Sequence, residues 1–381
     1  MPTKPKAGRP GIDPAVYFKM LIIGFFENLP SERAIASRCA DSLSLRSFLG
    51  YPLDQATPDH SSLSVIRYRL TCGMFQAVFE LILKGLLEHE LLKGRNLGID
   101  SSIIEANACL RALQNRNTRD DYWEYVKNLA AEAGIDPDDT KAVRQFGKKR
   151  PGRKTSNLEW FNPHDPDAKV GMTRHGACNM IYKSEHTTDL DTGAIVAAET
   201  RPGDQGDTED LAQRILEVGE TLARVCDDPF QKKVLASLTA DEGYFAVEEV
   251  CTLQQERVRV IIGDPHAKRR VKGKQCRVTK ETLSKARRAI KSQSGKDLLK
   301  KRGEHIERCF CHVLDHGKLR RATLRGRENL TKRQLVGALA QNLSLLMRHL
   351  TGCGTVKQWL AGALFLIFRH SHPEKCPQIA I

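Results

Sequence analysis

Apolar positions recur every three to four residues through the first ninety positions of the chain. Asp13-Pro14 opens the amphipathic stretch AVYFKMLIIGFFENL with a cap residue and a first-turn proline, and Pro30 stops it. Ser31 begins a second helical pattern through Ile35 and Cys39, Ser42 a third through Leu45 and Leu49, and Thr57-Pro58 a fourth ending near Leu70. Residues 1–90 therefore read as an all-helical N-terminal domain. Its Arg33, Arg38, Arg46, Arg67 and Arg69 are compatible with a helix-turn-helix DNA reader and equally with a packing or oligomerisation domain.

The period changes near residue 95. NLGIDSSII is a short, β-branched apolar run that predicts a strand, with Asp100 in its middle, and a carboxylate in a buried strand calls for a reason. Helical periodicity is expected from Glu105 to about Gln145, including YWEYVKNLAAEAG, followed by an exposed linker or DNA-facing loop, GKKRPGRKTSN. ACNMIYKSEHTTDL and GAIVAAETR read as two strands of a hairpin around Asp191-Thr192-Gly193. A helix from about Asp207 to Arg224, a strand KVLASLTAD ending at Asp241, another helix, and a strand VRVIIGD ending at Asp264 follow. Residues 265–302 carry dense Lys and Arg with little apolar periodicity, which reads as a solvated insertion suited to phosphate contact. This order predicts an α/β domain over 91–350, with insertions near 105–160 and 265–302, and a tail over 351–381.

Composition adds a partner class. Across 381 residues, 60 Lys and Arg against 46 Asp and Glu give a net charge of +14, which favours a polyanion. The N-terminus has charges but no apolar core, so it lacks the pattern of a secretory signal, and Trp359 to Phe368 is far short of the ~20 residues a bilayer needs and reads as a buried helix. A cytoplasmic protein with no membrane partner is expected. Eleven scattered cysteines read as reduced thiols. Cys309 and Cys311, with His305, His312 and His316 nearby, permit a zinc reading, but their spacing matches no closed tetrahedral site.

Breaking a DNA phosphodiester requires an activated oxygen nucleophile and a neutralised leaving oxygen. Two Mg2+ ions about 4 Å apart supply both, and such ions need carboxylates converging from different elements. Asp100 in the first strand, Asp241 at the end of a later one and Glu307 on a following helix meet that need, although spacing alone does not select them.

The residues around these three acids do. GIDSSIIEANA, TADEGYF and GEHIERCFCHVLDHGKLRRATLRGRENL resemble the three carboxylate motifs of bacterial insertion-sequence transposases with a ribonuclease-H-like DDE domain. WFNPHDPDAKV, GAIVAAETRPGDQGDT, ALAQNLSLLMR and the N-terminal PGIDPAVYFKMLIIGFFENLPSERAIASRCADSLSLRSFLGY with TPDHSSLSVIR are similar to that family as well, so the resemblance spans nearly all of residues 8–352. It implies a mixed ribonuclease-H-like sheet flanked by helices after the helical domain, and catalytic, metal-holding roles for Asp100, Asp241 and Glu307. It further implies Mg2+ (two ions, with Mn2+ able to substitute), binding of double-stranded DNA at the element's ends and in the target, and cleavage with strand transfer. A catalytically inactive DNA-binding relic is the alternative. Synapsis of two DNA ends makes a homodimer reasonable.

Glu304 rivals Glu307, and the Ile-Glu-Arg-x-Phe context selects Glu307. Related transposases often carry a lysine seven residues after the Glu, where this chain has Leu314. Lys318, Arg320 and Arg321 are expected to bind phosphate instead, with Arg302 and Arg325 as further DNA contacts. Glu105 reads as a solvent-facing helix start, His164, Asp165 and Asp167 as a capped turn, and Asn342 as a satisfied core amide.

Overall fold

The computed structural model describes residues 11–150, 156–226, 235–265 and 277–352. The expected helix at Trp359–Phe368, nearly all of the tail, and parts of the GKKRPGRKTSN and 265–302 segments lie outside these ranges.

Five helices come first: α1 (Pro14–Phe26), α2 (Glu32–Asp41), α3 (Leu43–Leu49), α4 (His60–Arg69) and α5 (Cys72–Glu88). The capping acids and serines set their starts. Asp13, Ser31, Ser42 and Asp59 each accept a backbone N–H of the first turn. The arginines expected here to be solvated or DNA-facing are mostly tied up inside the domain. Arg38 pairs with Glu27 at 2.6 Å, buried Arg67 pairs with Glu32, and Arg46 donates to the carbonyls of Pro52 and Gln55.

The α/β part contains β1 (Asn96–Glu105), the short β2 (Gln114–Asn115), α6 (Tyr122–Glu132), α7 (Thr140–Lys149), β3 (Trp160–Phe161), β4 (Lys169–Met172), β5 (Cys178–Asp189) and β6 (Ile195–Pro202). It continues through α8 (Leu211–Cys226), β7 (Ser237–Ala240), α9 (Val247–Gln255), β8 (Arg259–Ile262), α10 (Arg277–Lys291), α11 (Gln293–Phe310) and α12 (Arg327–Thr351). β5 lies antiparallel to β1, and β6 antiparallel to β5, while β7 and β8 continue the sheet parallel to β1. The order β6-β5-β1-β7-β8, with β5 the reversed strand, is the ribonuclease-H-like arrangement, and β4 adds to β5 along Cys178–Ile181. The fold is mixed α/β, a mixed sheet flanked by helices.

Two expectations change. Glu105 ends β1 rather than starting a helix, its amide donating to the Arg320 carbonyl at 2.9 Å, and helix resumes only at Tyr122. From Arg277 onward the basic stretch is not an irregular insertion but two helices, because Leu283, Ala286 and Leu298 are spaced to bury one face of each.

One apolar core runs from the N-terminal helices into the sheet domain. Phe75, Phe79, Leu83 and Leu86 of α5 belong to the same buried cluster as Leu335 and Leu339 of α12. Asn342 on α12 is satisfied in that core, bridging the backbone N–H and carbonyl of Ile195 at 2.9 and 2.8 Å. Asp165 and Asp167 sit in a turn that caps α12, accepting the amides of Gly326 and Arg327. Among the described residues no single helix is long and apolar enough to cross a membrane.

Candidate active site

The parallel pairing of β1 with β7 sets Gly98 opposite Thr239. Two residues further along the two strands stand Asp100 and Asp241, so the sheet register itself places these carboxylates side by side. Asp241 leaves β7 into a tight turn, where its Oδ1 accepts the Gly243 amide at 2.9 Å, and Tyr244 buries the turn. Asp100 is the more enclosed, its side chain 28% exposed against 52% for Asp241.

α11 crosses the face of the sheet that carries Asp100. It packs closely because Gly98 has no side chain: a Cβ there would come within 2.6 Å of Leu190 and 3.3 Å of Ile306. Arg302 of α11, expected to meet DNA, points instead at the carboxylates. Its Nη2 is 2.7 Å from Asp100 and 4.0 Å from Asp241. Burial pushes the Asp100 carboxyl up to about 6, opposed by the Arg302 guanidinium and reinforced by the negative charges of Asp241 and Asp207. The position between the two acids thus calls for positive charge.

The structure brings Asp100 and Asp241 together and leaves Glu307 apart. On α11, Lys301 and His305 face the β5–β6 hairpin: Lys301 Nζ is 3.3 Å from Asp191, and the His305 ring lies against Gly193. Arg302, Ile306 and Cys309 face the sheet. Five residues on from Arg302, Glu307 is turned roughly 140° away at 3.6 residues per turn. It is exposed, and no hydrogen bond or ion pair joins it to either aspartate. Glu304 is also exposed and pairs with Arg308 at 2.8 Å.

Sequence reasoning missed Asp207. This residue follows β6, accepts Ser101 Oγ at 3.1 Å and Lys183 Nζ at 2.8 Å, and its charge is felt at Asp100. It lies in the GAIVAAETRPGDQGDT segment that resembles the transposase family, but nothing in the GDQGDT composition distinguishes it from an ordinary turn aspartate.

Of the expected DNA contacts, Arg320 spans Asp315 at 2.7 Å and Ser102 at 2.6 Å, and Arg325 donates to the Asn107 carbonyl at 3.2 Å. Both hold the segment after α11 along the end of β1, where Lys318 and Arg321 are exposed. Leu314 is fully buried, so the position where relatives often carry lysine belongs here to the core. Cys309 is buried with its Sγ 2.9 Å from His186 Nδ1, whereas Cys311 is exposed. Among the described residues no three His, Cys, Asp or Glu side chains are grouped to hold a metal ion. The Asp100–Asp241 pair nonetheless has the chemistry that Mg2+ or Mn2+ takes, hard oxygens from one or two carboxylates with the remaining ligands from water and phosphate.

Strand order and paired aspartates define a ribonuclease-H-like α/β domain with an acidic centre on its parallel strands. Residues 1–69 match the family model described as "Transposase domain (DUF772)", so the helical N-terminal part is similar to a transposase domain. No curated protein matches the chain. Among solved structures, a Mos1 transposase paired-end complex with left transposon end is similar at 9% identity and TM-score 0.22, over 83% of this chain and 82% of that one. A pre-cleavage Mos1 transpososome is similar at 10% identity and TM-score 0.23 with the same coverage. A Mos1 mariner paired end complex with Mn stands at 12% and 0.21, again with that coverage. Overlays this loose add nothing to the fold, which rests on the strand order.

Proposed function

We propose that the protein is a DDE-type transposase that binds double-stranded DNA at the ends of its own insertion sequence, cleaves a phosphodiester there and joins the freed strand to target DNA. The observation that carries this reading is the Asp100–Asp241 pair on adjacent parallel strands, behind an N-terminal transposase domain. Asp100, Asp241 and Glu307 are the residues that would hold divalent metal, two Mg2+ ions with Mn2+ able to substitute. The metal supplies Lewis-acid activation of water and neutralises charge on the leaving oxygen.

The chain's own residues supply positioning and charge. Asp100 is fixed by its strand and by the Ser101 amide at 2.8 Å, and Asp241 by its turn. Arg302 balances the pair in the absence of metal and, released from it, stands where a DNA phosphate approaches. Lys318, Arg320, Arg321 and Arg325 present a basic edge beside the end of β1. For this reading Glu307, exposed on α11, has to reach the aspartates when DNA binds. Two copies of the chain hold the two element ends.

The second reading, a DNA-binding relic without catalysis, draws on one observation: Glu307 stands clear of the pair. One experiment separates the two. Purified protein is incubated with Mg2+ or Mn2+ and labelled DNA carrying its element's ends, alongside Asp241→Ala and Glu307→Ala. The transposase reading expects cleavage by wild type alone, with binding retained in both variants. Binding without metal-dependent cleavage in any sample would establish the relic.

A further inference from the structure

Beneath the paired aspartates, on the opposite face of the sheet, a single buried carboxylate gathers the segments that carry the acids. Glu185 lies opposite Ser101 on β5 and is only 5% exposed. Tyr244 Oη donates to Glu185 Oε2 at 3.3 Å, and Arg201 Nη1 donates to the same oxygen at 3.2 Å. Arg214 donates to Oε1. Both arginines reach on to the loop after β6, Arg201 to the Gly206 carbonyl at 3.0 Å and Arg214 to that of Asp207 at 2.9 Å. The Ser101 hydroxyl, next in sequence to Asp100, bonds Asp207 and also meets the Tyr244 hydroxyl.

Two segments thus converge on one anchor: the Asp241–Tyr244 turn through the tyrosine, and the Asp207 loop through the arginines. A buried charge of this kind is costly unless fully paired, and here two guanidiniums and a phenol pair it. Pulling one contact away frees the corresponding segment from β1, whereas the sheet itself is held by its own ladder and core.

We infer that Glu185, acting through Tyr244, is a positioning residue that fixes the Asp241 turn against Asp100 and so sets the separation at which the pair takes a divalent cation. The inference rests on the metal-dependent reading above. Loss of such an outer contact weakens metal affinity 10- to 100-fold in proteins generally.

The test is Mn2+ binding, read from the loss of the free-ion paramagnetic resonance signal, for wild type, Tyr244→Phe and Glu185→Gln, with thermal melting and DNA binding measured in parallel. Tyr244→Phe is expected to stay folded with a modestly lower melting temperature and to bind DNA as wild type does, to hold Mn2+ about tenfold more weakly, and to recover cleavage when Mn2+ is raised. Wild-type Mn2+ affinity in Tyr244→Phe overturns the inference and leaves the metal reading standing. Failure of wild type to take up Mn2+ at all overturns both. Glu185→Gln is expected to show a larger loss, and if it does not fold, Tyr244→Phe decides alone.

Discussion

Asp100 and His186 are neighbours across β1 and β5, yet their environments differ. The aspartate opens toward solvent and Arg302. The histidine is sealed between Ser184, Cys309 and Phe310, and burial holds its imidazole down to about 3. A histidine that stays neutral when folded but titrates near 6.5 when unfolded leaves the unfolded chain binding more protons between those values. Its contribution is therefore complete above pH 6.5 and is lost as pH falls toward 3. Urea unfolding at pH 7 and pH 5 should show wild type losing on the order of 2 kcal/mol more than His186→Leu over that interval. Equal losses would mean that the imidazole is not sealed. At this scale the sequence was legible where residue type and local context coincide. Asp241 carries its turn glycine and tyrosine with it, and Asp100 stands out as a charge in a strand. The role of Arg302 was not legible, because only the crossing of α11 over β1 decides whether a basic residue meets DNA or a carboxylate.

Among the elements, α11 does most to shape the site, and its approach to the sheet depends on Gly98. Gly98→Ala would drive a methyl into Leu190 and Ile306 and lift the helix. About 1–3 kcal/mol of destabilisation is expected in urea titrations, together with a weaker Arg302–Asp100 pair. Unchanged stability would show that the helix can yield at no cost. Strands β1, β5 and β6 were legible from alternation and β-branching, and their hairpin from Gly193, whose φ of 81° suits glycine. β2 and β3 were not, since two residues are too few to show a period, and β4 was not, since its four residues include Gly171 and none is buried. α10 was missed because Leu283 and Ala286 are a thin apolar stripe among lysines and arginines, and such a stripe resembles a solvated run until β8 and α9 supply a surface for it. The position of Asp207 is likewise set by contacts distant in sequence, those of Arg201 and Arg214.

For the whole molecule, charge and fold divide the work. Between residues 11 and 90 acidic residues outnumber basic ones, and several arginines there are held in internal pairs, so the excess positive charge of the chain lies in the remainder. The N-terminal helices share a core with α12, which ties the helical domain to the domain carrying the aspartates. On the function proposed above, DNA lies across the acidic centre and is hydrolysed with water. The most direct test is the chemistry of the cut ends. DNA cleaved by wild-type protein in Mg2+ should carry 3′-hydroxyl and 5′-phosphate termini, with no such ends from Asp100→Asn or in chelator. A 3′-phosphate, or DNA covalently attached to the protein, would contradict water activated at Asp100 and Asp241.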